Sequence, residues 1–191
     1  HKLYSVCALL ALKSGRPVKM QDSREEAFQV SYPRVPMEVS IRLGVSRDGR
    51  LVAKEMRILA DNGAYCDEAP VITLVSATTC DNLYRLENVR TEATLVYTNK
   101  VPTGSFRGFG NPQTTYALEC ALDEAAEQMG WDPADLRLRN VIGPDTLTVH
   151  GWQVSSCGIA ECIRQAVERS GWHSKRAPGP GPGAPPGEDG R

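Results

Sequence analysis

No stretch of this 191-residue chain approaches the run of about 18–20 apolar residues that a membrane-crossing helix needs. Neither sign of charge dominates. Lys and Arg number 22 against 23 Asp and Glu, a net charge of −1, so there is no electrostatic footprint for nucleic acid or for an anionic membrane. Histidine is scarce: His1, His150 and His173 lie far apart in the sequence. The six cysteines, Cys7, Cys66, Cys80, Cys120, Cys157 and Cys162, never pair with the two-residue gap of a zinc or thioredoxin motif. That spacing argues against a four-ligand zinc site and against a protein-bound iron–sulfur cluster. The start, His1-Lys2-Leu3-Tyr4, has neither Met nor a signal-peptide pattern, and the chain reads as a piece of something longer. With no signal and no pairing pattern, the thiols point to a reducing compartment and a cytoplasmic location.

What is present is ordinary globular composition, 41% hydrophobic and 24% charged, in a length that can bury a core. Leu3, Val6, Cys7, Leu9 and Leu10 predict a mostly buried helix ended by Ser14-Gly15. Ser23 or Asp22 caps a short second helix that opens on Arg24-Glu25-Glu26. Met37, Val39, Ile41, Leu43 and Val45 alternate with polar residues, and Val52, Met56, Ile58 and Ala60 alternate back after the Arg47-Asp48-Gly49-Arg50 turn. An antiparallel hairpin follows from that pattern. Val89, Ala93, Leu95 and Tyr97 mark a third strand, whereas periodicity does not decide Pro70 to Tyr84.

Asn111, read as a capping residue, and Pro112 open a long helix whose stripe is Ala117, Leu118, Ala121, Leu122, Ala125 and Met129, with Gly130 at its end. Asp132-Pro133 starts another helix, through about Asn140. Ile159, Cys162, Ile163, Ala166 and Val167 give a last amphipathic helix closed by Gly171. Cys7, Cys120 and Cys162 fall on apolar helix faces and are expected as packed free thiols. From Pro178 onward the chain holds five of the 13 Pro and five of the 17 Gly, which cannot build a core. The expectation is therefore an α+β fold, an antiparallel hairpin followed by helices, over residues 1–174, with a disordered Pro/Gly-rich tail over 175–191.

Between the third strand and the long helix runs Val101 to Gln113, which carries Gly104, Gly108, Gly110, Phe106, Phe109 and Arg107 just before a helix N-terminus. Glycines allow close backbone approach, helix N-termini favour anionic oxygens, and aromatics can clamp a flat substrate. The segment lacks the P-loop Lys and the Rossmann strand–helix spacing, which argues against a nucleotide-binding domain.

Ser105-Phe106-Arg107-Gly108-Phe109-Gly110-Asn111-Pro112-Gln113 resembles the signature loop of the molybdopterin-binding large subunit of the xanthine oxidase/aldehyde oxidase family, with Ser105 in place of the usual Ala. Glu119, Asp135-Leu136-Arg137-Leu138-Arg139-Asn140, Gly15-Arg16-Pro17-Val18-Lys19, Arg24-Glu25-Glu26 and Asp61-Asn62-Gly63-Ala64-Tyr65 fit the same family in order. The likeness extends over nearly all of residues 1 to 174. Tyr97-Thr98-Asn99-Lys100, His150-Gly151-Trp152 and Ser155-Ser156-Cys157-Gly158 look most like bacterial three-subunit members, with the 4-hydroxybenzoyl-CoA reductase large subunit the nearest pattern.

The resemblance implies that Phe106, Arg107 and Gly108 face a molybdenum–molybdopterin cofactor, in its cytosine dinucleotide form, and that Arg34 and Phe109 contact substrate. It implies hydroxylation of an aromatic or heteroaromatic compound, or reductive dehydroxylation of an aromatic-CoA. The [2Fe-2S] centres and FAD would lie on an iron–sulfur subunit and an FAD subunit. The catalytic Glu of the family belongs near the large subunit's C-terminus, so no catalytic base is assigned here and the piece is expected to be inactive alone. Gly108 stands where carbon monoxide dehydrogenases carry a Cys, which argues against a copper-bridged site. The competing reading is a scaffold domain that keeps the fold without the cofactor.

Overall fold

The computed structural model describes residues 2–176; His1 and residues 177–191, with most of the expected tail, lie outside the described residues. Strands β1 (Met37–Val45) and β2 (Leu51–Gly63) pair antiparallel, with Met37 opposite Ala60 and Ile41 opposite Met56. The turn between them works because Gly49 takes φ +79, a conformation open to glycine. It is pinned by the Asn140 side chain, which accepts from the Leu51 amide and donates to the Gly49 carbonyl.

Strand β3 (Asn88–Tyr97) joins the other edge of β2 in parallel, giving the order β1-β2-β3. The segment that periodicity left undecided is the crossover that makes this possible: α3 (Ala69–Thr79) followed by a 3-10 turn, Cys80–Leu83. Parallel neighbours need such a connection, whereas an antiparallel pair needs only a turn.

Helix α4 (Asn111–Met129) packs against β1, and α3 against β3, both on the sheet face that carries Met56, Ile58 and Ala60. Leu118, Leu122 and Ala126 of α4, Ile72 of α3 and Leu136 of α5 (Pro133–Asn140) complete that core. Asp132 caps α5 by accepting from the Ala134 and Asp135 amides. A two-stranded ribbon, β4 (Thr146–Leu147) and β5 (Gln153–Val154), escaped the sequence reading, because two-residue strands have no period to detect. Helix α6 (Ile159–Ser170) ends on Gly171 as expected, and α7 (Trp172–Lys175) runs one residue past the anticipated boundary at 174.

At the N-terminal side, α2 (Arg24–Val30) has the full capping box expected of its sequence, with Ser23 bonded to the Glu26 amide and the Glu26 side chain to the Ser23 amide. Helix α1 (Lys2–Ser14) forms where anticipated, but it is not mostly buried. Tyr4, Val6, Leu9, Leu10 and Leu12 are exposed, because no described element covers them. Cys162 is also exposed rather than packed, and Asn111 is the first residue of α4 rather than its cap, a place taken by Gly110.

Candidate functional site

The base of the glycine-rich loop is built by Asp61-Asn62-Gly63 at the end of β2. Asp61 Oδ1 accepts from the Gly63 amide (2.9 Å) and the Thr98 hydroxyl (2.6 Å), and its Oδ2 accepts from Lys100 Nζ (2.7 Å). Thr103 donates its hydroxyl to the Asp61 carbonyl and its amide to the Asn62 carbonyl. Lys100, Thr98 and the Gly63 amide together hold the Asp61 carboxyl down at about 2. The backbone of Gly104 then bridges to Arg34, with its amide on the Pro33 carbonyl (3.2 Å).

Beyond Gly104 the chain turns back on itself. Gly108 (φ +95), Phe109 (φ +48) and Gly110 (φ +92) form three successive left-handed residues. For Phe109 that conformation costs about 1–2 kcal/mol. Its ring offsets the strain by packing, half-buried, against the core. A Cβ at Gly108 would overlap the Pro112 ring, and one at Gly110 would stand 2.7 Å from the Ile72 carbonyl oxygen, so neither position admits a side chain. Two turn bonds, Phe109 amide to Phe106 carbonyl and Asn111 amide to Gly108 carbonyl, close the bend (2.8 and 2.9 Å). The amides of Phe106, Arg107 and Gly108 donate to nothing among the described residues. The three residues are exposed, and the Arg107 guanidinium has no acidic partner among the described residues.

Of the residues singled out by sequence, the structure brings Phe106, Arg107, Gly108 and Arg34 together. Arg34 lies beside the bend: it donates through Nη2 to the Arg107 carbonyl (2.8 Å) and through Nη1 to Gln113 Oε1 (3.3 Å), and its guanidinium sits 4.4 Å from the centre of the Phe106 ring. Gln113 in turn donates to the Val35 carbonyl (3.0 Å). Phe109 turns toward the core while Phe106 is the exposed ring. On the near side lies a cavity of about 490 Å³ whose wall includes Tyr32, Glu68 and Ser105, with Ser105 hydrogen-bonded to Glu68.

The donor set fits a molybdopterin-held metal. Oxo and dithiolene groups are electron-rich acceptors, and the bend offers three consecutive peptide donors and a cation with no partner among the described residues. The two glycines that no Cβ can replace show that this shape is held by packing.

Sequence reasoning missed a second polar assembly. Lys54 lies on the inward face of β2, fully buried, and pairs with the fully buried Asp81. Asp81 Oδ2 also lies 2.8 Å from His150 Nε2. Burial and the neighbouring Asp81 push the Cys80 thiol up to about 11. One signal was available: Lys54 occupies an inward register position between Val52 and Met56. Glu119 and Arg137, from two motifs of the resemblance, pair at 2.7 Å and tie α4 to α5 together with Asp123, so they serve the scaffold.

A family model described as a molybdopterin cofactor-binding domain matches residues 1–141. Among curated proteins, the chain is 39% identical over 163 residues to a probable xanthine dehydrogenase subunit of Bacillus subtilis, covering 85% of this chain and 22% of that protein. It is 37% identical over 166 residues to the nicotinate dehydrogenase large molybdopterin subunit of Eubacterium barkeri, covering 86% of this chain and 39% of that one. Among solved structures, quinoline 2-oxidoreductase of Pseudomonas putida superposes with a TM-score of 0.81 at 28% identity, over 90% of this chain and 22% of that one. The chain thus spans well under half the length of each of these relatives.

Proposed function

The chain belongs to the molybdopterin cofactor-binding domain family, and from that premise we propose that it is part of the large subunit of a molybdenum hydroxylase whose cofactor rests on the Phe106–Gly108 bend. One observation carries this reading: three consecutive exposed amides and an unpaired guanidinium on a turn that the core holds in shape. When bound, the molybdenum cofactor supplies two-electron redox chemistry at a carbon centre. The amides of Phe106, Arg107 and Gly108 bind its acceptor atoms, and Arg107 offsets its negative charge. Phe109 flanks the substrate, and its backbone, fixed between two glycines, keeps that flank in place.

The exposed Phe106 ring and the half-buried Phe109 ring beside it suit a flat aromatic or heteroaromatic compound. The nicotinate and quinoline named for two of the relatives belong to that class. The cofactor takes its cytosine dinucleotide form. Hydroxylation is the reaction proposed; reductive removal of a phenolic hydroxyl from an aromatic-CoA is the same chemistry with the electrons reversed. With [2Fe-2S] centres and FAD on partner subunits in the cytoplasm as the electron carriers, this segment alone would not turn over.

The test is purification of the complete complex, followed by assay of molybdenum and pterin and of turnover on a nicotinate-type heteroaromatic, a hydroxybenzoyl-CoA and an aliphatic aldehyde. Stoichiometric molybdenum and turnover of an aromatic compound are expected. Arg107→Ala should lower molybdenum content or turnover on the order of tenfold, while the melting temperature stays within about 2 °C. A folded complex without molybdenum would favour the scaffold reading instead, and turnover of the aldehyde alone would overturn the substrate class.

A further inference from the structure

We infer that Arg34 is a positioning residue for the cofactor bend, one that aims the Gly108 amide, rather than a substrate contact; this rests on the cofactor reading above. The group it acts on is the peptide joining Arg107 to Gly108. In a trans peptide the C=O and the N–H point in opposite directions. Arg34 Nη2 holds the Arg107 oxygen at 2.8 Å. The Gly108 N–H on the same plane is thereby turned away from Arg34 and outward from the bend. Without that anchor the peptide plane can rotate, since Gly108 is tolerant of many backbone conformations. The amide would then lose its direction at little cost in fold stability.

The anchor itself is braced on three sides. The backbone of Arg34 is bridged to Gly104 at the root of the loop. Its Nη1 donates to Gln113 Oε1 in the first turn of α4, and Gln113 donates to the Val35 carbonyl, one residue from Arg34. The planar cation also lies over the Phe106 ring at 4.4 Å, which fixes the first residue of the donor row as well as the last. A planar fork can make these contacts together; an ammonium group cannot. The bend's left-handed residues, Gly108 to Gly110, are strained at Phe109, and the bridge from Arg34 to Arg107 opposes their relaxation. Two of the five guanidinium donors and one face of the group are thus committed to the bend.

The experiment uses the complete complex with wild-type, Arg34→Lys, Arg34→Ala and Arg107→Ala large subunits. Molybdenum and pterin per protomer, the Mo(V) paramagnetic resonance signal after reduction, KM and kcat, and melting temperature are measured for each. Arg34→Ala should lose molybdenum on the order of tenfold or shift the Mo(V) signal, with KM in the loaded fraction unchanged. Arg34→Lys, which keeps the charge and protects folding, should show the same defect, and added methylguanidine should partly restore the Arg34→Ala protein but not the Arg107→Ala protein. Wild-type molybdenum and an unshifted signal in both Arg34 variants would overturn the inference, whether or not KM rises, while leaving the cofactor reading intact. A wild-type complex without molybdenum would overturn both.

Discussion

Around Asp81, every charged side chain has a partner and none of the pair at its centre reaches solvent; at the Phe106–Gly108 bend, the amides and the Arg107 guanidinium face solvent with no partner in the described chain. Both are polar sets within one small fold. The difference lies in what each has available. Lys54 and Asp81 satisfy one another, with His150 on the second carboxylate oxygen, so removing either member of the ion pair strands the other as an unpaired charge in a low-dielectric interior. The bend keeps its donors free because its shape is maintained by glycine packing, by the Phe109 ring and by Arg34, not by the donors themselves. A closed polar set serves stability, and an open one can receive a ligand.

The sharpest way to break this contrast is at Asp81. Asp81→Ala should destabilise the protein by about 3–5 kcal/mol, since it strands the Lys54 ammonium in the core. Pairing Lys54→Met with Asp81→Val should recover most of that loss, because an apolar pair of similar volume needs no compensation. Urea denaturation measures both. A loss under about 1 kcal/mol in the single variant would mean that solvent reaches the pair.

A smaller effect is expected at the root of the loop. The Asp61 carboxyl sits at about 2 in the folded protein against 3.8 for a free side chain. A depressed acid stabilises the fold above its unfolded value, and that contribution is lost as pH falls through the folded value. The Asp61→Asn variant should therefore melt below wild type by an amount that is constant above about pH 5 and shrinks as the pH approaches about 2. At neutral pH the difference should be on the order of 1 kcal/mol. A gap that does not narrow in acid would remove Asp61 as the brace of the loop.

The smallest effect concerns reactivity alone. Cys80, buried with its thiol near 11, should resist a water-soluble maleimide at neutral pH, whereas the exposed Cys66 and Cys162 should label within minutes. Mass spectrometry of the labelled peptides decides it. Modification of Cys80 as fast as Cys162 would show that the Asp81 assembly opens readily.

Much of the frame was legible because its residues carry a clean period. Met37 to Val45 alternates without exception and forms β1 with those bounds, and Gly130 and Asp132 mark the junction of α4 and α5 as their chemistry requires. Helix α3 was not legible, because Val71 and Leu74 face solvent while Ile72, Thr73 and Ser76 face inward, so apolar residues lie on both sides. The parallel direction of β3 depends on that helix and was hidden with it. Burial of α1 was misjudged for a related reason: its apolar residues describe a surface that needs covering but not what covers it. At the site, the glycine pattern located the bend, and the family resemblance supplied the expectation of a cofactor there. The hydrogen bond from Arg34 to Arg107 crosses 73 positions, and no local rule connects residues so far apart. Lys54 was passed over because an alternating strand leads one to read a single inward polar residue as noise.

The left-handed run through Gly108, Phe109 and Gly110 gives the bend one further property. Its unpartnered donors include three peptide groups, whose chemistry is the same whatever side chain is attached. Replacements at positions 105 and 107 can therefore retune charge and bulk around an incoming ligand without rebuilding the platform beneath it, whereas at Gly108 and Gly110 even one added methyl group has no room. Variation in this part of the chain is channelled: side chains have room at two positions and are shut out at their neighbours.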